Sequence, residues 1–268
     1  MAEAPLAAED RIGFVGLGNM GVPMVRRLLS GGFQVQGYDV NPEQGAALEG
    51  EAGYTRVGSI EQLVTGARML ILMVPNSAIV EAVLLGSGML DAVREHAPEC
   101  IVVDMSSSKP AETVRMGEEA ASRNVRFIDA PVSGGVPGAT EGTLSVMVGG
   151  PAELDAIVRP ALDRIGSNVV HAGAIGAGHA LKAINNLLSG ASFIASAEAM
   201  VIGQKFGLDP QVMSDAINGS SGRSWSTMLK WPRYVIPRQF NSGFTLGLHL
   251  KDIRIATELA DQLGVPAP

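Results

Sequence analysis

The 268-residue sequence holds a single cysteine, Cys100, so no disulfide can form within the chain. Cys100 stands just before the apolar run IVVD and reads as a buried thiol at a strand end rather than a nucleophile. No Lys/Arg run occurs and the net charge is −7, which excludes a nucleic-acid or anionic-membrane surface, since either needs a basic field. The four histidines, His96, His171, His179 and His249, are scattered at spacings that suit no zinc site, and all four read as structural. The opening MAEAPLAAED is acidic and lacks an apolar core, so it is not a secretory signal. The most apolar stretch, 177–206, is interrupted by Lys182, Asn185, Asn186 and several serines, short of an uninterrupted membrane span. Neither an internal repeat nor a low-complexity tract is found. These absences lead us to expect a soluble, cytoplasmic protein.

What is present is a composition of 46% hydrophobic and 18% charged residues, typical of a globular protein long enough for two domains. Short apolar runs at 11–15, 33–39, 68–74, 100–104 and 125–130 read as strands. Helical patterns at 20–29, 42–48, 78–85 and 110–123 lie between them, and two further strands, 144–149 and 168–172, flank a helix at 151–165. That alternation predicts a doubly wound α/β domain with a mostly parallel sheet. After His171 the patterns are helical only, at 177–206, 210–217, 224–234 and 248–263. GAIGAG (173–178) is the candidate hinge, giving an expected dinucleotide-binding domain over 1–175 and a helical domain over 176–268.

Residues 177–206 contain no proline and only isolated glycines, so they predict one helix of roughly 45 Å. Leu181, Ile184, Leu187, Leu188, Phe193, Ile194, Met200 and Val201 make it apolar on most faces, which predicts burial. Lys182 and Asn186, four apart on one face, need another reason to be there.

The turn GLGNMG (Gly16, Leu17, Gly18, Asn19, Met20, Gly21) follows a predicted strand and opens a helix. In that context the first glycine permits a tight turn, the second admits a pyrophosphate, and the third lets helix and strand approach. The helix N-terminus would then receive the phosphates. Asp39, about twenty residues on at the end of the next strand, is placed to bind ribose hydroxyls. No Arg or Lys follows it until Arg56, and a carboxylate repels a 2′-phosphate, so NAD(H) is expected over NADP(H). MVPN, with Val74 and Pro75, and DMSSSKP, with Ser106, close two strands of the same sheet, where an open α/β sheet places its ligand. Ser106, Ser107 and Ser108 could equally cap the helix that begins near Pro110. In DAPVSGGVPGATEGT, Ser133, Gly134 and Gly135 offer successive backbone N–H groups to a carboxylate.

Taken together, GLGNMG, DMSSSKP, DAPVSGG, GTLSVMVGG, GAGHALKAINN and HLKDIRIA resemble the β-hydroxyacid dehydrogenase family, the group of 3-hydroxyisobutyrate and tartronate semialdehyde dehydrogenases. The resemblance covers almost the whole chain in the family's order. It implies a Rossmann-type domain, a long interdomain helix, an all-helical C-terminal domain and an active site between them. It also implies that Lys182 is the catalytic lysine and Asn186 its partner, that Ser133, Gly134, Gly135 and Ser106 bind substrate, and that Lys251 lies near the cofactor. DMSSS stands here in place of the commoner DxST. Family members usually continue past the point equivalent to Pro268, so the chain is expected either to be truncated before a terminal helix or to have a smaller helical domain.

The chemistry fits a lysine, because oxidising a 3-hydroxy acid requires an acceptor for the hydroxyl proton beside the carbon that loses hydride. Partial burial lowers a lysine pKa towards the working range. Arg223 and Trp225, in NGSSGRSW, are candidates to contact the substrate side chain. Two other functions were weighed: an imine-reductase-like enzyme, and a dinucleotide-binding sensor without turnover. Lys182 favours the dehydrogenase. The helical domain has too few residues to cover so long a helix, so a homodimer or homotetramer is expected.

Overall fold

The computed structural model describes residues 3–267. The chain forms two compact units, one ending at Lys182 and the other beginning at Ala183.

The first unit alternates strands and helices: β1 (Arg11–Val15), α1 (Gly21–Ser30), β2 (Gln34–Tyr38), β3 (Tyr54–Arg56), α2 (Ile60–Val64), β4 (Met69–Leu72), α3 (Ser77–Glu81), α4 (Met89–His96), β5 (Ile101–Asp104) and α5 (Pro110–Ser122). It continues with β6 (Arg126–Asp129), β7 (Val132–Ser133), α6 (Gly135–Glu141), β8 (Leu144–Gly149), α7 (Ala152–Ile165) and β9 (Gly166–Gly173). The sheet order is β3-β2-β1-β4-β5-β6-β8-β7, with β9 paired to β8. Pairing is parallel from β3 to β6, turns antiparallel where β8 meets β6 and β7, and is parallel again between β8 and β9.

The strands are buried on both faces, and alternate residues sort into two cores. Ile12, Phe14, Met69, Ile71, Ile101 and Val103 pack with α1 and α7. Val15, Leu70, Leu72 and Val102 pack with α2, α4 and α5 on the other face. A period of two with apolar residues at both parities is the sequence signature of such a doubly covered sheet. The α/β expectation holds.

One local expectation fails. The helix expected at 42–48 is only a 3-10 turn, Ala46–Leu48. Asn41 N–H donates to Asp39 and Glu43 N–H to Asn41, while Gly45 sits at φ 77°, so side-chain acceptors and a left-handed residue divert the backbone. The helix expected over 78–85 is present, as α3 continued without a break by a π-helical turn, Ala82–Gly86.

The long helix α8 (Ala177–Phe206) has the bounds expected for it, and its first residues belong to the first unit. By length and mean hydropathy alone, 1.2 over its most apolar window, it could cross a membrane. In the second unit it serves instead as a core element. α9 (Pro210–Asn218), a π-helical segment (Ser226–Val235) and α10 (Leu246–Gln262) complete that unit. Ala183 packs with Ile255 and Ala256 of α10, and Met200 with Met213 and Trp231. Within the single chain the helix is not buried on all its apolar faces, in keeping with a helical unit expected to be too small to cover it. Leu188 is 66% and Phe206 84% exposed, and Ile184, Ile194, Val201 and Ile202 are exposed with them.

Candidate active site

The turn after β1 is shaped by its three glycines in different ways. Gly16 has φ +94°, and a Cβ there would stand 2.3 Å from the Met73 carbonyl oxygen; at Gly21 a Cβ would stand 1.9 Å from that of Gly16. Gly18 differs, because a Cβ there would meet nothing within 4 Å. Two glycines are demanded by the protein's own packing, and the third borders open space. No side chain caps the start of α1; there Val22 N–H donates to the Gly18 carbonyl at 3.1 Å and Met24 N–H to that of Met20 at 3.2 Å, so the open backbone at Gly18 is what borders that space. These are the features a dinucleotide pyrophosphate requires, and the residues present fit one.

Asp39 lies just beyond β2, where its Oδ2 accepts from Leu17 N–H at 2.8 Å and its Oδ1 from Asn41 N–H at 2.9 Å. The carboxylate is thereby fixed to the glycine turn. Arg56 donates to the carbonyls of Gln44 at 2.8 Å and Asn41 at 3.4 Å and pairs with Glu49 at 3.8 Å. The nearest downstream arginine is thus held by the carbonyls of the loop that follows Asp39.

Ser106 is buried, with its Oγ accepting from Val74 N–H at 3.1 Å and facing the Leu72 carbonyl at 3.4 Å. It links the loops after β4 and β5. Ser106 N–H and the Ser108 hydroxyl both donate to Asp104, at 2.9 Å each. Ser106 and Ser108 are thus engaged by Asp104, while the cap residue of α5 is Lys109, whose side chain makes no capping bond and whose N–H donates to Ser77 Oγ at 2.8 Å. Ser133 ends β7, paired with Ser145, while Gly134 and Gly135 are exposed. The glycine-rich stretch expected as open loop becomes α6, starting at Gly135 with φ +62°.

Sequence reasoning missed what holds the start of α8. Asp129, at the end of β6, accepts from Gly176 N–H at 2.7 Å and from His179 N–H at 2.8 Å. The His179 ring is fully buried, its Nδ1 2.9 Å from Thr113 Oγ1 and 3.4 Å from Asp129, its Nε2 3.0 Å from the Ser106 carbonyl. Burial pushes the Asp129 carboxyl above the usual range, while His179 and the two N–H groups pull it down. His179 therefore ties the ends of β5 and β6 to the helix that carries Lys182 three residues later. The Asp before PVSGG and the His within GAGH were the available signals.

In the second unit Asn186 is buried and its Nδ2 donates to Asp252 Oδ2 at 2.7 Å. Lys251 Nζ lies 3.2 Å from Asp252 Oδ1, and His249 Nε2 lies 3.2 Å from the Asn186 carbonyl oxygen. The structure thus brings together two expected residues, Asn186 and Lys251, through a third, Asp252, that was not singled out. Arg223 and Trp225 do not join this cluster: Arg223 is exposed and Trp225 is 63% exposed, in the loop before the π-helical segment. No group of three or more His, Cys, Asp or Glu able to hold a metal ion occurs among the described residues.

Residues 11–173 match the family model for the NAD-binding domain of 6-phosphogluconate dehydrogenase. Residues 176–268 match that for the NAD-binding domain of NADP-dependent 3-hydroxyisobutyrate dehydrogenase. The chain is 40% identical to the 3-hydroxyisobutyrate dehydrogenase of Pseudomonas aeruginosa over 96% of its own length and 87% of that protein's. It belongs to the β-hydroxyacid dehydrogenase family. This β-hydroxyacid dehydrogenase is also 38% identical to the 2-(hydroxymethyl)glutarate dehydrogenase of Eubacterium barkeri, over 96% of this chain and 85% of that one. Among solved structures it is similar to the 3-hydroxyisobutyrate dehydrogenase of Mycobacterium tuberculosis determined with L-serine. There the TM-score is 0.87 at 33% identity, covering 97% of this chain and 89% of the other. The dehydrogenase is NAD(P)-dependent.

Proposed function

We propose that this β-hydroxyacid dehydrogenase interconverts a small 3-hydroxy acid with its semialdehyde, with Lys182 as the proton-transfer group and NAD(H) as the preferred dinucleotide. The observation that carries the reading is Asn186, buried on α8 four residues after Lys182 and oriented by Asp252. The dinucleotide, when bound, would supply the hydride chemistry at the alcohol carbon. Lys182 accepts the hydroxyl proton in oxidation and in the reverse direction donates it to the developing alkoxide. Asn186, with its amide nitrogen committed to Asp252, presents its oxygen in a fixed direction one turn from the lysine. The Ser133–Gly135 backbone holds the substrate carboxylate, which decides the carbon that faces the nicotinamide. Gly16 to Gly21, Val74, Pro75 and Lys251 would hold the dinucleotide. An NAD-linked absorbance assay over a panel of 3-hydroxy acids and their semialdehydes tests the reaction; no turnover of any member would overturn it.

The preference for NAD(H) is supported by Asp39, whose carboxylate is pinned beside the glycine turn, and by Arg56, whose guanidinium is already engaged. The exposed apolar residues of α8 support a homodimer or homotetramer in which a second copy covers them, because so large an apolar face is costly in water. We place this acidic enzyme in the cytoplasm, with neither membrane nor nucleic acid as a partner. Light scattering that gave a monomer would overturn the oligomer.

A further inference from the structure

Lys230 is the residue of the helical unit that the reaction leaves unexplained. It lies in the π-helical segment, one residue before Trp231. Trp231 is buried, its Nε1 donates to Ser196 Oγ at 3.0 Å, and its ring centroid is 6.4 Å from that of Phe193. Those contacts fix the segment against α8 and so fix where the lysine starts. The side chain is half-buried rather than fully extended into solvent. Its Nζ donates to Ser189 Oγ at 3.3 Å and stands 5.4 Å from the centre of the Phe193 ring. Among the described residues no carboxylate pairs with it, and burial lowers its pKa from the usual lysine value. A partly desolvated cation with one hydroxyl and one aromatic face as neighbours has donors to spare and a desolvation cost that only an anion would offset.

Ser189 follows Asn186 by three residues, on the same side of α8 and about 4.5 Å further along its axis. A molecule whose hydroxyl meets Asn186 therefore has the Ser189 hydroxyl and the Lys230 ammonium one helical turn away. We propose that Lys230, with Ser189, forms an anion subsite that selects 3-hydroxy acids bearing a second carboxylate on a short carbon spacer. Phe193 covers the apolar spacer, and the charge of Lys230 meets the distal acid. This assigns the selectivity to Lys230 rather than to Arg223, which is exposed. It rests on the reaction proposed above and names its substrate class.

The test compares oxidation of 2-(hydroxymethyl)succinate with that of 2-(hydroxymethyl)butanoate, which has a similar carbon skeleton but no second acid. The wild-type enzyme should favour the diacid by about tenfold or more in kcat/KM, the weight of a charge-assisted hydrogen bond. Lys230→Met should lower kcat/KM for the diacid by about 30-fold, through KM, while the monoacid changes by less than about twofold. Lys230→Arg should keep most of the diacid preference. Succinate should also inhibit wild-type turnover of the monoacid more strongly than butanoate does, a measurement that needs no variant to fold. Equal losses on both acids in Lys230→Met, or no advantage of succinate over butanoate as inhibitor, would overturn the subsite. If the wild type turns over the monoacid but not the diacid, the subsite fails and the reaction stands. If it turns over no 3-hydroxy acid, the reaction itself fails and the subsite with it.

Discussion

Asp252 accepts from the side-chain amide of Asn186 at 2.7 Å, and both residues are buried. An amide is free to flip end for end, and this contact removes the freedom: the nitrogen must face the carboxylate, so the oxygen faces the other way. Because Lys251 holds the second Asp252 oxygen at 3.2 Å, the asparagine, the acid and the lysine behave as one group.

Asp252→Ala should therefore lower kcat by about 10- to 100-fold, the worth of a hydrogen bond to a charged acceptor in a buried site. NADH affinity measured by fluorescence titration should also weaken, since Lys251 loses its anchor. Asp252→Asn, which retains one acceptor oxygen, should recover part of kcat.

Lys182→Ala is expected to cut kcat by about 100- to 10,000-fold, the usual contribution of a positioned acid–base group. Single-turnover measurement should show the hydride step itself slowed, with NADH binding almost intact. Retention of most activity would remove the lysine from the mechanism.

Changing Asp39 should alter the choice of dinucleotide rather than the chemistry. Asp39→Ala should reduce the NADH-to-NADPH ratio of kcat/KM by about tenfold or more. It should also weaken the fixation of Leu17, whose N–H loses its acceptor. A wild-type enzyme with the higher kcat/KM on NADPH would show that Asp39 does not set the preference.

Cys100 gives a pH dependence with a definite sign. Burial pushes its thiol up from 9.0 to about 12, so the unfolded chain releases that proton first as pH rises. Between those values the native state binds more protons, and stability falls by up to about 1.4 kcal/mol per pH unit from this group. Urea denaturation at pH 9 to 11 should show that slope, and Cys100→Ala should remove it. The native thiol should also resist iodoacetamide at pH 8 and react once unfolded.

The sheet was legible because its strands are short apolar runs bounded by breakers, and α8 because thirty residues without proline admit little else. β3 was missed: three residues with a polar centre carry too little pattern. α6 was missed because GGVPGATEG has the composition of a loop, and only its placement against Leu144 makes it helical. At the site, Lys182 and Asn186 were visible as polar residues on an apolar helix. Asp252 was not, because one acid on an amphipathic helix looks like its solvent face until a buried amide is found opposite it. The exposure of α8 was legible in the length of chain left to cover it, although which of its residues stay exposed was not.

The buried group of Asp104, Ser106, Thr113, Asp129 and His179 joins segments some 75 residues apart along the chain, by order of magnitude a large loop to close. None of its members can open alone without stranding a polar atom of another in the interior. The loops after β4, β5 and β6 and the first turn of α8 should thus open as a single cooperative unit, and the amides of Val74, Ser106, Gly176 and His179 should exchange hydrogen with one shared opening free energy. These loops would then be among the last parts of their unit to loosen, although they lie outside the regular strands and helices.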